Sequence, residues 1–213
     1  MSGQHVHPLA SVIAAVARGI SGVQVRWQGC TPDAKQRIYF ANHTSHLDFA
    51  VLWSALPGEV RARTRPVAAK DYWDKGVRAY LAQRVFRAVL IPRRREAGNG
   101  FAAANVIDEL AAAMGTTNSL IFFPEGTRGD GETMSPFRSG LYYLAKQRPD
   151  VELVPVYLEN LSRILPKGEV LPVPLASLLT FGEPMQLGAA EEKVEFLQRA
   201  WAAVAGLRRK VQV

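Results

Sequence analysis

The chain has 213 residues, 48% of them hydrophobic and 21% charged, which excludes a disordered, collagen-like or disulfide-rich protein. Its one cysteine, Cys30, excludes an intrachain disulfide. The formal net charge of +7 favours anionic partners, which include nucleic acid, acidic lipid, phosphorylated small molecules and acidic carrier proteins, without choosing among them.

The first predicted element is an amphipathic helix from Pro8 to Ile20. Its large apolar residues recur at helical spacing and form one stripe: Leu9, Val12, Ile13, Val16 and Ile20. The stripe fits a helix packed on the core or a helix lying in a membrane interface. It is too short to span a bilayer, which takes about 20 apolar residues. We therefore divide the chain into residues 1–22, a candidate membrane-interfacial helix, and a main domain of residues 23–213.

Short β-like runs then alternate with longer helical runs. Strands are predicted at Val23 to Trp27, Arg37 to Ala41, Arg65 to Ala69, Ala88 to Ile91, Ser119 to Phe123, Leu153 to Tyr157 and Ser177 to Phe181. Helices are predicted at His46 to Leu56, Asp71 to Arg87, Gly100 to Met114, Ser139 to Gln147 and Ala190 to Leu207. This order predicts a single-domain α/β sandwich, with a mixed, largely parallel sheet flanked by helices. In such sheets the active site lies in loops beyond the strand ends.

The first such loop, Asn42 to Asp48, contains a histidine and an aspartate five residues apart. If a helix begins just after this loop, Asp48 can fold back and orient the His43 imidazole, whose other nitrogen can then take a proton from an alcohol. Two alternatives stay open. The pair can be purely structural, or His43, His46 and Asp48 can bind a metal, although zinc needs three or four ligands and the loop supplies few.

The second loop follows the strand ending at Phe123 and reads Pro-Glu-Gly-Thr-Arg-Gly. Gly126 and Gly129 allow a tight turn whose backbone N–H groups can face an anion. Arg128 adds a forked cation suited to phosphate, and Glu125 can accept from a substrate hydroxyl or hold a neighbouring arginine. The alternative is a glycine-rich turn with a local ion pair. The Gly-Lys-Ser/Thr ending of a P-loop is missing.

Cationic residues are concentrated between Arg61 and Arg95. This segment has eleven Lys and Arg residues against two Asp, a net charge of +9 that exceeds the net charge of the whole chain. Such a concentration fits either a surface that binds phosphates or the solvated face of a helix.

Together these segments resemble the glycerolipid acyltransferase family, which includes the bacterial 1-acyl-sn-glycerol-3-phosphate (lysophosphatidic acid) acyltransferases. The family pattern Asn-His-x-x-x-x-Asp matches Asn42 to Asp48, and Phe-Pro-Glu-Gly-Thr-Arg matches Phe123 to Arg128 at every position. A short apolar strand ending in arginine matches Val89 to Arg93, and an apolar strand around a proline matches Leu153 to Val156. The chain departs from the family pattern in two ways here. Pro92 stands where the family commonly has an acidic or polar residue, and the arginine that follows is tripled.

The resemblance implies a fold like that of glycerol-3-phosphate acyltransferase and a role for each matching residue. His43 would be the general base and Asp48 its orienting partner. The substrate-binding residues would be Asn42, Lys70, Arg93, Glu125, Gly126, Thr127, Arg128 and Pro155. Of these, Pro155 would shape the wall for the acyl chain, and N–H groups near the Glu125–Gly126 turn would stabilise the oxyanion. The resemblance implies no metal and no cofactor.

The implied reaction moves a fatty acyl group from acyl-CoA or acyl-acyl carrier protein to the free hydroxyl of a lysophospholipid, converting 1-acylglycerol-3-phosphate to phosphatidate without a covalent intermediate. The expected location is peripheral, at the cytoplasmic face of the inner membrane, with no nucleic-acid partner. The alternatives are transfer to another lysolipid such as lyso-ornithine lipid, a thioesterase or other hydrolase, and a non-enzymatic module that binds anionic lipid or nucleic acid.

Overall fold

A computed structural model describes residues 8–45, 47–92, 101–161 and 176–209, with the backbone alone for 101–104. The helices are α1 (Pro8–Ser21), α2 (Asp48–Ala55), α3 (Gly58–Arg63), α4 (Lys70–Trp73), α5 (Gly76–Tyr80), α6 (Phe101–Met114), α7 (Gly140–Gln147) and α8 (Lys193–Ala205), with a π-helical turn at Leu81–Val85. The strands are β1 (Gln24–Trp27), β2 (Arg37–Ala41), β3 (Thr64–Ala69), β4 (Val89–Ile91), β5 (Ser119–Phe122), β6 (Glu152–Glu159) and β7 (Leu178–Phe181).

The described strands form one sheet in the order β1-β7-β6-β2-β5-β3-β4. Every neighbouring pair is parallel except β6 and β7. Helices cover the sheet on both faces, which is the usual arrangement for parallel strands because their connections cross over the sheet. The predicted α/β sandwich with a mixed, largely parallel sheet is therefore confirmed.

The register of the central strands brings the two predicted loops together. Strand β2 lies between β5 and β6, and Phe40 pairs with both Phe122 and Pro155. Since β2, β3, β4, β5 and β6 all run in the same direction, their carboxyl ends lie at the same edge of the sheet. The loops that begin at Asn42 and Phe123 therefore start side by side.

Two apolar clusters hold the layers together. Tyr39 and Ile121 face one cluster with residues of α1 and α2, while Ile38 and Leu120 face a second cluster with α6, α7 and α8. Successive strand residues point to opposite faces, so β2 is buried along its whole length. Each fully buried apolar side chain contributes about 1.5–3 kcal/mol, which holds the central strands, and hence the loop starts, in place.

Helix α1 packs on α2 through its small residues rather than through its large ones. Ala10 and Ala14 are buried in the first cluster, whereas the large apolar residues of the helix are 38% to 57% exposed, apart from Ile13, which is partly buried. The predicted stripe is therefore divided between core and solvent. No helix in the described ranges is long and apolar enough to cross a bilayer. The boundary between residues 1–22 and 23–213 stays a prediction.

The predicted helix from Asp71 to Arg87 is wrong as a single element. It is divided into α4, α5 and the π-helical turn because Gly76, at the start of α5, has a φ of +57°, outside the helical region. The break rotates the apolar residues out of register. Val77 is 75% exposed, whereas Val85 is 5% exposed and packs in the first cluster.

Helix α3 has no counterpart among the predicted elements; it begins at Gly58, directly after Pro57, and has only six residues. The other predicted strands and helices are confirmed, with ends displaced by at most three residues. Such displacements are ordinary because terminal turns are held by few hydrogen bonds.

Replacing Val77 and Val85 by alanine, one at a time, tests whether the predicted helix from Asp71 to Arg87 is broken at Gly76. Val85→Ala should lower the free energy of unfolding by about 2 kcal/mol because it removes buried methyl groups and leaves a cavity. Val77→Ala, the matched control, should change it by no more than about 0.5 kcal/mol. Denaturant unfolding measures both values, and equal losses for the two variants would contradict the broken helix.

Candidate active site

His43 and Asp48 meet as their spacing predicted. The His43 Nδ1 lies 2.8 Å from the Asp48 Oδ2. Strand β2 ends at Ala41 and α2 begins at Asp48, so the intervening loop is short enough for the first turn of the helix to reach the imidazole. The Asp48 side chain is fully buried, and 23% of the His43 side chain is exposed. The buried carboxylate therefore holds the imidazole in place, while part of the His43 side chain stays accessible to solvent.

The hydrogen bonds around Asp48 determine which imidazole nitrogen carries the proton. The backbone N–H groups of Thr44 and Ser45 also donate to the Asp48 Oδ2, over 2.6 and 2.8 Å. An oxygen that accepts two N–H groups is held as a carboxylate acceptor, so the His43 Nδ1 donates to it. In the neutral imidazole the Nε2 is then the acceptor, which is the form required of a general base.

Phe123 holds the plane of the His43 ring. The two ring centroids are 4.4 Å apart with an angle of 24° between the planes, a stacked arrangement. Phe123 directly follows β5, so the strand register that aligns β2 with β5 also places this aromatic ring under the imidazole. One side chain from each loop therefore restricts the orientation of His43.

Glu125 joins the two loops. Its Oε1 accepts the backbone N–H of His43 over 2.7 Å, and its Oε2 accepts the backbone N–H of Ser135 over 2.8 Å. The side chain is buried, and burial raises the pKa of the Glu125 carboxyl, while the N–H donors of His43 and Ser135 act in the opposite direction. These contacts make Glu125 a link between the two loops, and its contact with a substrate hydroxyl stays a prediction.

The turn after Glu125 requires glycine at position 126. Gly126 has a φ of +71°, and a Cβ added there would lie 2.9 Å from the Cδ and Nε of Arg138. Its N–H donates to the carbonyl of Phe123 over 3.1 Å, so it closes the turn instead of facing a ligand. The N–H groups of Thr127 and Arg128 have no acceptor in the described part of the chain.

Arg128 lies next to the loop from Asn42 to Asp48 (the base loop). The N–H of Gly129 donates to the carbonyl of His43 over 2.8 Å, which bonds the residue after Arg128 to the loop that contains His43. Arg128 is half-buried, and no carboxylate within the described ranges forms an ion pair with it. A partly desolvated, unneutralised guanidinium beside a base is suited to an anionic ligand.

The other predicted substrate-binding residues have varied placements. The Asn42 amide is buried and pairs at both ends with the backbone of Leu158 in β6, so it positions the loop. Lys70 begins α4 directly after β3 and is exposed at the same edge of the sheet. Pro155 is buried within β6, and its side chain lies near Gly182. The roles of these residues stay predictions. Arg93 and His46 lie outside the described residues.

Three residues near the site were not assigned a role from the sequence: Phe123, Ser135 and Arg138. Phe123 is inside a matched motif, but its stacking on His43 depends on sheet register. Ser135 and Arg138 lie ten and thirteen residues beyond Glu125, without a spacing that marks them. A polar cleft of about 190 Å³ adjoins the base loop at Thr44 and is lined on its far side by Tyr157, Glu159 and Arg208.

The bridging role of Glu125 predicts a specific stability loss. Glu125→Gln should lower the free energy of unfolding by about 1–3 kcal/mol, since the amide NH₂ would face one of two buried N–H donors. Glu132→Gln, at an exposed glutamate of the same loop, is the control and should change it by no more than about 0.5 kcal/mol. Thermal or denaturant unfolding measures both. Equal stability of the two variants would show that Glu125 does not clamp the loops.

Comparisons with known proteins show which family this chain resembles. A family model described as Acyltransferase matches residues 22–159. A 1-acyl-sn-glycerol-3-phosphate acyltransferase of Limnanthes douglasii is 32% identical over 168 residues, which is 77% of this chain and 56% of that protein. The human 1-acyl-sn-glycerol-3-phosphate acyltransferase alpha is 31% identical over 142 residues, 65% of this chain and 46% of that protein. The chain thus spans about half the length of the curated relatives it matches.

A solved structure supports the fold. The crystal structure of the 1-acyl-sn-glycerophosphate (LPA) acyltransferase PlsC from Thermotoga maritima superposes with a TM-score of 0.71 at 20% identity, covering 93% of this chain and 77% of that one. The family match includes both loops of the site, from the His43–Asp48 pair to Arg128. The chain belongs to the acyltransferase family.

Proposed function

We propose that this chain transfers a fatty acyl group from a thioester to the free hydroxyl of a lysophospholipid, with 1-acylglycerol-3-phosphate as the acceptor and phosphatidate as the product. The observation that carries the proposal is the His43 imidazole, whose Nδ1 is bound to Asp48 and whose Nε2 has no hydrogen-bond partner within the described ranges. Its loop is bonded to Gly129, the residue after Arg128. The names of the matched relatives, which are 1-acyl-sn-glycerol-3-phosphate acyltransferases, support the same acceptor.

In the proposed reaction the His43 Nε2 takes the proton of the acceptor hydroxyl as its oxygen attacks the thioester carbonyl. Asp48 stabilises the imidazolium that forms. The tetrahedral intermediate collapses when the carbon–sulfur bond breaks, and the thiolate leaves with the proton that His43 held. Acyl transfer is direct, so no covalent acyl-enzyme forms, and the chemistry needs no cofactor besides the thioester co-substrate.

Anionic groups of the acceptor would bind at the second loop. Arg128 provides a guanidinium that can bind two phosphate oxygens at once. The N–H groups of Thr127 and Arg128 are available for the phosphate or for the oxyanion, whereas that of Gly126 is used within the turn. Lys70 and Arg93 follow neighbouring parallel strands in sequence, and we assign both to the same acceptor.

The donor would be acyl-CoA or an acyl-acyl carrier protein. Both are strongly anionic, and the segment from Arg61 to Arg95 has a net charge of +9 that can attract either of them. We assign no nucleic-acid partner, because the matched relatives are named as 1-acyl-sn-glycerol-3-phosphate acyltransferases.

We further propose that the protein binds the cytoplasmic face of the inner membrane peripherally. The exposed apolar residues of α1 support this, and the π-helical turn that follows α5 packs into the same cluster as α1. The exposed Val77 and Tyr80 of α5 therefore lie on the same side of the sheet as α1, and Lys75 and Arg78 beside them can bind anionic headgroups.

Replacing the proposed base tests the reaction. His43→Ala should reduce acyl transfer by at least about 10²-fold, the lower limit of typical general base catalysis, with an unchanged unfolding midpoint. The assay uses acyl-CoA and acyl-acyl carrier protein across a panel of lysolipids, including lysophosphatidate and lyso-ornithine lipid, with products identified by mass. Arg26→Ala, at an exposed arginine of the edge strand β1, is the control for nonspecific loss of activity.

Each other outcome of that assay identifies a different function. Retained transfer in His43→Ala would refute the mechanism. Free fatty acid without acylated lipid would indicate a thioesterase or other hydrolase, and salt-sensitive vesicle binding without thioester consumption would indicate a lipid-binding module. Acylation of lyso-ornithine lipid alone would replace the proposed acceptor.

The membrane proposal predicts that charge on the exposed face of α1 prevents binding. The double change Val12→Glu and Val16→Glu should reduce binding to vesicles of phosphatidylglycerol and phosphatidylcholine at least about tenfold, because two apolar side chains lose their burial in lipid. Val194→Glu, at an exposed valine of α8, is the matched control. Co-sedimentation measures the bound fraction, and equal binding of all three proteins would refute docking through α1.

A further inference from the structure

Arg138 lies against the turn that carries Arg128. Its Nε donates to the backbone carbonyl of Glu125 over 2.9 Å, and its backbone N–H donates to the carbonyl of Pro124 over 2.8 Å. The side chain also contacts Gly126, where a Cβ would lie 2.9 Å from the Arg138 Cδ and Nε. Three consecutive residues of the turn therefore hold this arginine in place.

The terminal nitrogens of Arg138 are available for a ligand. A guanidinium has five N–H donors, and the carbonyl of Glu125 uses only the one on Nε. Across the described ranges no carboxylate forms an ion pair with Arg138 or Arg128, and the Glu125 carboxylate accepts the N–H groups of His43 and Ser135. Arg128, on the turn, and Arg138, packed against it, are thus two cations that no carboxylate of the described ranges neutralises.

One guanidinium group on the turn and another packed against it suit a particular class of anion. A phosphate monoester carries about −1.5 to −2 charges near neutral pH and has three terminal oxygens, whereas a phosphodiester carries a single charge. One arginine can satisfy a single charge in a bidentate pair. Two arginines suit a terminal phosphate monoester, because the second guanidinium can pair with the additional negative charge of the monoester. A diester does not have this charge.

We propose that Arg138 is a further phosphate-binding residue, which together with Arg128 makes the site select an acceptor with a terminal phosphate monoester over one with a phosphodiester. The inference rests on the proposed function, since it takes the acceptor to be a lysophospholipid. The bond from Nε to the carbonyl of Glu125 orients the guanidinium before substrate binds, so little side-chain entropy is lost on binding. Lysine cannot reproduce this arrangement, because its ammonium lacks the planar terminal N–H groups that a guanidinium can still offer to phosphate while its Nε binds a carbonyl.

Acceptor kinetics test the assignment. Arg138→Ala should raise the KM for 1-acylglycerol-3-phosphate by about 10- to 100-fold, the range for lost hydrogen bonds to a charged group, with kcat within about threefold of the wild type. The KM for the thioester donor should not change. The preference for this acceptor over lysophosphatidylcholine should narrow by a similar factor. Arg138→Lys should restore part of the loss, and Arg26→Ala should match the wild type.

A binding measurement separates this inference from the proposed reaction. Calorimetry with sn-glycerol 3-phosphate should show binding to the wild type that weakens in Arg138→Ala, and this result would support the assignment even if the wild type transferred no acyl group. An unchanged acceptor KM would overturn it. A fall in kcat with every acceptor, together with a lower unfolding midpoint and no recovery in Arg138→Lys, would assign Arg138 a purely structural role and would also overturn it.

Discussion

One buried carboxylate holds the two halves of the site together. Strand register places the starts of both loops side by side, but the loops then leave the sheet and lose its hydrogen bonds. Glu125 compensates by accepting the backbone N–H of His43 with one oxygen and that of Ser135 with the other. Burying a carboxylate is costly unless such donors satisfy it. The geometry of the base loop, of the turn and of the segment after it all depend on this group.

Asp48 likewise accepts several donors with one carboxylate, but within a single loop. One of its oxygens collects the imidazole and two backbone N–H groups, so a single acceptor shapes the loop and selects the tautomer. Glu125 and Asp48 therefore accept backbone and imidazole donors, and within the described ranges Arg128 and Arg138 have no carboxylate partner. This separation leaves uncompensated positive charge at the second loop, which suits an anionic acceptor. Exposed apolar residues on α1 and α5 would bring a lipid to that mouth.

Sequence patterns predicted the sheet, the two loops and the His43–Asp48 contact, since each depends on short-range spacing or on the period of apolar residues. The prediction of one helix from Asp71 to Arg87 was wrong, because apolar spacing alone does not reveal a glycine with positive φ. Glu125 was predicted to accept from a substrate hydroxyl or to hold an arginine, and a contact with substrate stays a prediction. The structure adds that its carboxylate accepts backbone N–H groups, one of them from a residue 82 positions earlier, which no local pattern can indicate.

The sequence by itself determined the chemistry that is available: a histidine with an aspartate in reach, a glycine turn with an arginine, and alternating strands and helices that bring both loops to one edge. These features follow from spacing along a chain whose backbone geometry is known. Only the tertiary structure decided which groups are occupied and which are free. It assigned Glu125 and Asn42 to backbone donors and acceptors, brought Arg138 onto the turn, and exposed the large residues of α1. Hydrogen-bond partners and burial depend on contacts between residues far apart in sequence, and those contacts exist only in the folded chain.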